Sequence, residues 1–313
     1  MDLEILDFQL HEPGNHRDWS DADVSTRHRA LTEMLLTMME SVGVDAVLLH
    51  PTQEHAWAEA LGEAEPWRFG SVPMLHGDDP ASTHAGVGPE LSPHMPDIEE
   101  QIAKVYARRA VKVIRFVPGP RVHPKEFVKF QAGEYDRALA ACEAQGVPIL
   151  IHMSGGVEVL ERPARQFPGL QIIVDHIGLR QPPVEPVPDP AWGDLPKVLA
   201  LAQYPNVALK LCGAPGLSAE GYPFADIRPH VAVLLDAYGP QRLAWGSDIS
   251  RFNGRVGWRI RFADEYPGKH TYLESLAFWL HSTEISLEDK RQILGGTARR
   301  LLKWPGRVEG TPT

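Results

Sequence analysis

The chain has 313 residues, 43% hydrophobic and 23% charged, with 41 acidic against 31 basic side chains and a formal net charge of −10. That balance argues against nucleic acid or an anionic membrane as the main partner, and two cysteines, Cys142 and Cys212, exclude a disulfide framework or a four-cysteine zinc site. The first residues lack a basic segment leading into an apolar run, and no apolar stretch approaches the ~18 residues of a membrane span, so a cytoplasmic protein is expected.

Eight short apolar runs follow in chain order: residues 3–8, 44–49, 69–75, 111–117, 147–151, 170–174, 207–211 and 243–245. They are continuous rather than alternating, which predicts strands buried on both faces. Amphipathic stretches lie between them. Residues 27–42 carry Leu31, Met34, Leu35, Met38 and Met39 at helical spacing. Residues 135–145 stop at Gly146, and residues 157–167, 195–204 and 227–238 each end at a Pro or Gly signal. Ser286 with Asp289 starts a last helix. Strand and helix alternating in this way predict an α/β fold, a (β/α)8 TIM barrel formed as one domain over residues 1–305, with 306–313 a loose tail. A doubly wound open sheet is the alternative. Two broken stretches, 77–96 and 181–196, are too long for simple connections and are expected to be loops over the catalytic face.

Polar residues fall at the ends of the predicted strands. Gln9 and His11 follow the first, His152 the fifth, Asp175-His176 the sixth, Lys210 ends the seventh, and Ser247-Asp248 follow the eighth. In a barrel these ends converge on one face. Each has a bland reading by itself: His11 as a hydrogen-bonded loop residue, His152 as a satisfied core residue, Asp248 as a helix cap. One metal centre explains several together, because imidazole and carboxylate are the ligands of catalytic Zn²⁺ and similar ions. His16, His28, His50, His55 and His281 read as surface residues, Trp57, Trp67 and Trp279 as core, and Cys142 as a small buried hydrophobe. Cys212 follows an active-face strand but has no evident partners that make it a nucleophile.

The runs Leu6-Asp7-Phe8-Gln9-Leu10-His11, Ile149-Leu150-Ile151-His152, Ile173-Val174-Asp175-His176-Ile177-Gly178 and Trp245-Gly246-Ser247-Asp248 resemble the amidohydrolase superfamily, in its amidohydrolase-related branch of metal-dependent hydrolases. That branch includes lactonases acting on pyrone dicarboxylate and sugar lactones, with aminocarboxymuconate-semialdehyde and resorcylate-type decarboxylases as neighbours. The resemblance spans nearly the whole chain. It implies that His11, His152 and Asp248 hold one divalent ion, zinc first and manganese or iron as alternatives, with Gln9 in the place of a usual histidine. A neutral amide is the weaker ligand, and metal-free operation, as in some lactonases of the branch, stays open. The resemblance further implies that Asp248 is the general base and that His176 binds the metal or polarises the substrate.

The expected function is hydrolysis of a small, anionic cyclic ester or amide by activated water. Arg115 is the first candidate for holding the anionic group, because a guanidinium grips a carboxylate at two points. Lys210, Arg121 and Arg251 are weaker candidates, and Trp19, Tyr222 and Phe224 are candidate pocket walls. Two alternatives remain: a non-oxidative decarboxylase using the same residues, and a non-catalytic barrel that binds a small anion. The expected partner is a small-molecule substrate, and a homo-oligomer is compatible with the sequence.

Overall fold

A computed structural model describes residues 3–13, 22–75, 77, 91–181, 188–252 and 270–306, with the side chains of residues 251 and 252 excepted. Most of the expected loop at 77–96, residues 182–187 of the second loop, Trp19 and the tail beyond residue 306 lie outside the described residues.

All eight apolar runs form parallel strands: β1 Leu6–Leu10, β2 Ala46–Leu49, β3 Phe69–Ser71, β4 Met74–Leu75, β5 Ile114–Phe116, β6 Ile149–Ile151, β7 Ile172–Val174, β8 Val207–Lys210 and β9 Leu243–Ala244. The third run divides into β3 and β4 around Val72-Pro73, where proline has no N–H to give a ladder. β1-β2-β3 form one sheet and β4 to β9 the other, each in sequence order. Backbone hydrogen bonds join both seams. Val72 N–H reaches Leu49 O at 3.1 Å and Arg115 N–H reaches Pro73 O at 3.0 Å. Across the other seam Phe8 N–H donates to Trp245 O at 3.2 Å. The strands therefore close into the eight-membered ring of a (β/α)8 barrel.

The helices arise where the periodicity placed them, with shifted ends. Asp23 caps Val24–Val42 by accepting from Thr26 N, and Leu31, Leu35 and Met39 are its buried stripe. Asp136–Gln145 ends at Gly146, whose φ of 64° favours glycine. The stretches from Val157 and Leu195 each divide into a 3-10 turn and a short α-helix. Helices His55–Ala64, Ile98–Tyr106, Pro124–Gln131 and Tyr272–Leu280 were not among the sequence expectations. Among the described residues no helix is long and apolar enough to cross a membrane.

Side-chain alternation along the strands positions the functional centre. Leu6, Phe8, Ala46, Leu48, Val72, Val113, Leu150, Ile173, Ala208 and Ala244 pack together inside the ring, closed below by Leu301, Leu302 and Trp304. Val47, Leu49, Ile114, Phe116, Ile149, Ile151, Ile172, Val174, Val207 and Leu209 face the helices in the larger core. Because strand side chains repeat every two residues, the next inward layer after Leu48, Val113, Leu150, Ile173 and Ala208 is His50, Arg115, His152, Asp175 and Lys210. β1 reaches the same layer by a different route. Asp7 pairs with Val47 and Leu10 with Leu49, so β1 carries one extra residue between them. That irregularity reverses the alternation and turns Gln9 and His11 inward.

Candidate active site

Two cations and a carboxylate fill the middle of this layer. Arg115 donates from Nε and Nη2 to Asp175 Oδ2 at 2.9 and 2.5 Å. The Lys210 ammonium meets Asp175 Oδ1 and also donates to Gln9 Oε1. Asp175 and Lys210 are wholly buried. Burial raises the Asp175 carboxyl, but Arg115, His176 and Lys210 outweigh it and hold the group well below the usual carboxylate range.

Beneath this layer Asp7 staples the first strand to the last. Its Oδ1 accepts from Gln9 N at 3.0 Å and Ser247 N at 2.8 Å, and its Oδ2 accepts from Ser247 Oγ at 2.5 Å and Tyr272 Oη at 2.8 Å. Burial pushes this carboxyl up to about 6 against those four donors. The staple holds the turn that presents Asp248.

Asp248 is wholly buried and adopts φ 49°, and His176 adopts φ 51°. A non-glycine residue in this left-handed region costs about 1 kcal/mol or more. Both residues use that conformation to turn toward one point. His11 Nε2 lies 3.1 Å from Asp248 Oδ1, and His176 Nε2 lies 3.9 Å from Asp248 Oδ2. The ring of His152 packs edge-on to that of His176, with centroids 5.6 Å apart. Cys212, just beyond β8, joins this centre. Among the described residues, the group of three metal-capable side chains whose ligand atoms all lie within 4.8 Å of one another is His176, Cys212 and Asp248.

His152 is held down at about 3 and His176 at about 4, with burial the first cause in each; His176 then adds to the effect at His152, and Lys210 and Arg115 act on both. Burial and the same two cations keep His50 well below its usual 6.5. All three are neutral near pH 7. Unfolded, each takes up a proton near 6.5. Between that value and about 4 the unfolded chain therefore binds protons that folded His152 and His176 refuse, and stability falls as pH falls, by about 1.4 kcal/mol per pH unit for each of the two. Asp7 opposes this with one proton, since its folded value of about 6 lies above its unfolded 3.8. The two histidines outweigh Asp7 and His50 acts in their direction, so the urea midpoint of metal-free protein is expected to drop between pH 6.5 and 5. A midpoint that holds or rises over that range would contradict the buried neutral histidines.

The expected site residues fall into three groups. Gln9, His11, His152, His176, Asp248, Arg115 and Lys210 are gathered at one end of the ring, although the Gln9 amide oxygen is engaged by Lys210 rather than open to a metal. Arg121 and Tyr222 are exposed, and the Tyr222 hydroxyl contacts His281 Nδ1 at 3.1 Å. Phe224 is wholly buried and packs against Phe278 rather than forming an open wall. Trp19 and the side chain of Arg251 lie outside the described residues.

Two expectations are corrected. Trp67 is half-buried and stands outside both apolar clusters rather than in the core. His50 is not a surface residue but 3% exposed. It ends the inward face of β2, and its Nε2–H donates to Phe8 O at 3.2 Å. With His11, Pro51, Thr52, Val72, Met74 and Arg115 it lines a small cavity opening onto the site. Asp175, Asp7 and Cys212 were not assigned site roles from the sequence. For Asp175 the signal was available, because it stands two residues after an inward apolar residue of β7.

A parallel barrel with a buried cluster of imidazole, carboxylate and thiol at the carboxyl ends of its strands defines a class of barrel built for chemistry on small molecules. The chain belongs to the amidohydrolase family, whose model matches residues 38–304. A segment of 99 residues is 37% identical to L-fucono-1,5-lactonase of Burkholderia ambifaria; the match covers 30% of this chain and 32% of that protein. The chain also shares its fold with a putative 2-pyrone-4,6-dicarboxylic acid hydrolase from Pseudomonas putida, at 17% identity and a TM-score of 0.63 over 98% of this chain and 100% of that one. A Burkholderia multivorans amidohydrolase with bound zinc is similar at 18% identity and a TM-score of 0.67, over 96% of this chain and 100% of that one.

The residues present fit one divalent ion. Nitrogen and oxygen ligands at ~2.0–2.2 Å from a tetrahedral ion stand ~3.3 Å apart. His176, Cys212 and Asp248 each bring one ligand atom within 4.8 Å of the other two, and His11 Nε2 stands 3.1 Å from Asp248 Oδ1, so nitrogen, sulfur and oxygen donors surround one carboxylate.

Proposed function

We propose that this chain is a hydrolase that opens a small, anionic cyclic ester with an activated water, a cyclic amide being the related substrate. The observation that carries this reading is the placement of Asp248, a wholly buried carboxylate turned between His11 and His176 at the mouth of the barrel. The partial likeness to a sugar lactonase supports an ester substrate.

In this reading Asp248 takes a proton from water as the water oxygen attacks the ester carbonyl. The proton then passes to the ring oxygen as the carbon–oxygen bond breaks, leaving a hydroxy acid. His176, neutral near pH 7, donates a hydrogen bond to the developing oxyanion. His11 holds Asp248 from the opposite side. Asp248 with His11, His176 and His152 around it would hold a divalent ion, which would supply carbonyl polarisation and a lowered pKa for water, toward ~7. Zinc is the first choice, with manganese or iron as alternatives. Lys210 keeps Gln9 and Asp175 in place and sets a positive potential beneath the site.

Arg115 lines the cavity beside His11 and is the residue proposed to receive the anionic group of the substrate. Arg115→Lys is expected to raise KM for an anionic lactone about 10-fold or more, since a charge-assisted bond contributes about 1.5–3 kcal/mol, and to leave KM for a neutral lactone nearly unchanged. Steady-state kinetics on a matched pair of lactones checks this, and equal effects on both would remove Arg115 from that role.

The whole reading is tested by titrating acid release from a panel of sugar lactones and pyrone carboxylates. Acid produced in proportion to protein supports it. Carbon dioxide released without ring opening would replace it with the decarboxylase alternative.

A further inference from the structure

We propose that Cys212 is a ligand of the metal ion, so that this chain binds zinc through a mixed nitrogen, oxygen and sulfur set of His176, Cys212 and Asp248. The inference rests on the metal proposed above and deepens it by naming a ligand and the class of ion it selects.

One ligand atom from each of the three residues lies within 4.8 Å of the other two. Nitrogen, oxygen and sulfur ligands at ~2.0–2.3 Å from a tetrahedral ion stand ~3.3–3.8 Å apart, so the three close by about 1–1.5 Å at most when the ion binds. Cys212 and Asp248 are wholly buried, and His176 is 9% exposed. The three come from the ends of different strands, so the arrangement follows from the closing of the ring and not from one local turn.

Two further observations separate Cys212 from an ordinary buried cysteine. His176 Nδ1 is buried and has no hydrogen-bond partner among the described residues, while its Nε2 faces Asp175 and Asp248. A buried polar atom left in that state costs about 1–3 kcal/mol unless something engages it. The surroundings of the two cysteines also differ. Cys142 sits in the apolar stripe of helix Asp136–Gln145 among the residues of the larger core. Cys212 sits outside both apolar clusters. Burial first, then the carboxylates of Asp248, Asp175 and Asp7, against Lys210, hold its thiol well above the usual range, so the thiolate forms there only as a cation arrives. A cysteine serving only as a small hydrophobe belongs in the first environment.

The donor chemistry names the ion. Gln9 gives its amide oxygen to Lys210, so the first strand offers the metal His11 alone, and Cys212, two residues beyond β8, adds a sulfur. A thiolate with imidazole and carboxylate selects zinc, or cobalt in its place, over manganese, magnesium and calcium, which favour oxygen ligands. Binding displaces the thiol proton to solvent, so the step balances as one metal ion bound and one proton released.

The test uses tag-free full-length protein, stripped with a chelator and refilled with Co²⁺. The expected result is one Co²⁺ per chain with a thiolate-to-cobalt charge-transfer band in the near ultraviolet. Because the chain has only two cysteines, the band is assignable. It should vanish in Cys212→Ser and persist in Cys142→Ser. Zinc affinity should fall about 10–100-fold or more in Cys212→Ser, given that even outer partners of metal ligands cost that much. Bound Co²⁺ without the band in wild-type protein would overturn the proposal, as would a band that survives Cys212→Ser or a protein that takes up no metal. Lactone opening by the stripped protein is read separately. Hydrolysis by a protein whose bound Co²⁺ shows no band, or that takes up no metal, would end this inference and leave the lactonase reading standing, whereas the band without any lactone opening would do the reverse.

Discussion

Asp248→Asn is expected to lower turnover by about 10²–10⁴-fold, the range a positioned general base contributes, with the protein still folded. The amide keeps the size of the carboxyl and one acceptor oxygen, so the packing around this wholly buried side chain is retained. Its backbone anchors do not depend on the side chain: Asp248 N–H donates to Gln9 O at 2.9 Å, and Ser247 is held by Asp7. What is lost is the ability to take a proton from water. The decisive comparison is kcat beside the circular dichroism spectrum and melting temperature. Turnover within a few-fold of wild type would remove Asp248 from the chemistry, whereas loss of the fold would mean that the carboxylate is structural.

Asp175→Asn is expected to cost stability rather than turnover alone. The carboxylate answers both Arg115 and Lys210, and Lys210 is wholly buried. A neutral amide at this position leaves two cations facing each other in a poorly solvated interior. Breaking a buried pair from one side costs about 3–5 kcal/mol, a large part of the ~5–15 kcal/mol that holds a domain folded. Urea denaturation measures the loss. Adding Lys210→Met to the same chain removes one unanswered charge and should recover part of it, because replacing both partners of a buried pair is far less costly than replacing one. A single variant as stable as wild type would contradict the buried network.

Most of the strand scaffold was legible because parallel strands buried on both faces read as unbroken apolar runs. The third run was read as one strand because Pro73 breaks the ladder without ending the chain's direction, as β3 and β4 show. Helix Ile98–Tyr106 carried a legible signal that the strand-to-strand pattern passed over: Ile98, Ile102 and Val105 form its buried stripe at helical spacing, and Glu99 and Glu100 stand in its first turn. In the site, Gln9, His11, His152, His176 and Asp248 were picked out by their places at strand ends and by resemblance. Strand alternation also contained Asp175 and His50, each two residues beyond an inward apolar side chain. His50 was misread because one histidine after β2 has no neighbours in sequence to mark it as inward. Cys212 was not legible as a partner of His176 and Asp248, because that proximity depends on the left-handed turns at residues 176 and 248. The Lys210–Gln9 contact joins residues 201 positions apart and carries no local signal.

Ring opening in ¹⁸O-labelled water, followed by mass spectrometry of the hydroxy acid, addresses the chemistry itself. Water attack at the ester carbonyl places one heavy oxygen in the new carboxylate, at a rate proportional to wild-type protein and lost in Asp248→Asn. Product that forms at that rate without the label, or with the loss of carbon dioxide, would contradict the account.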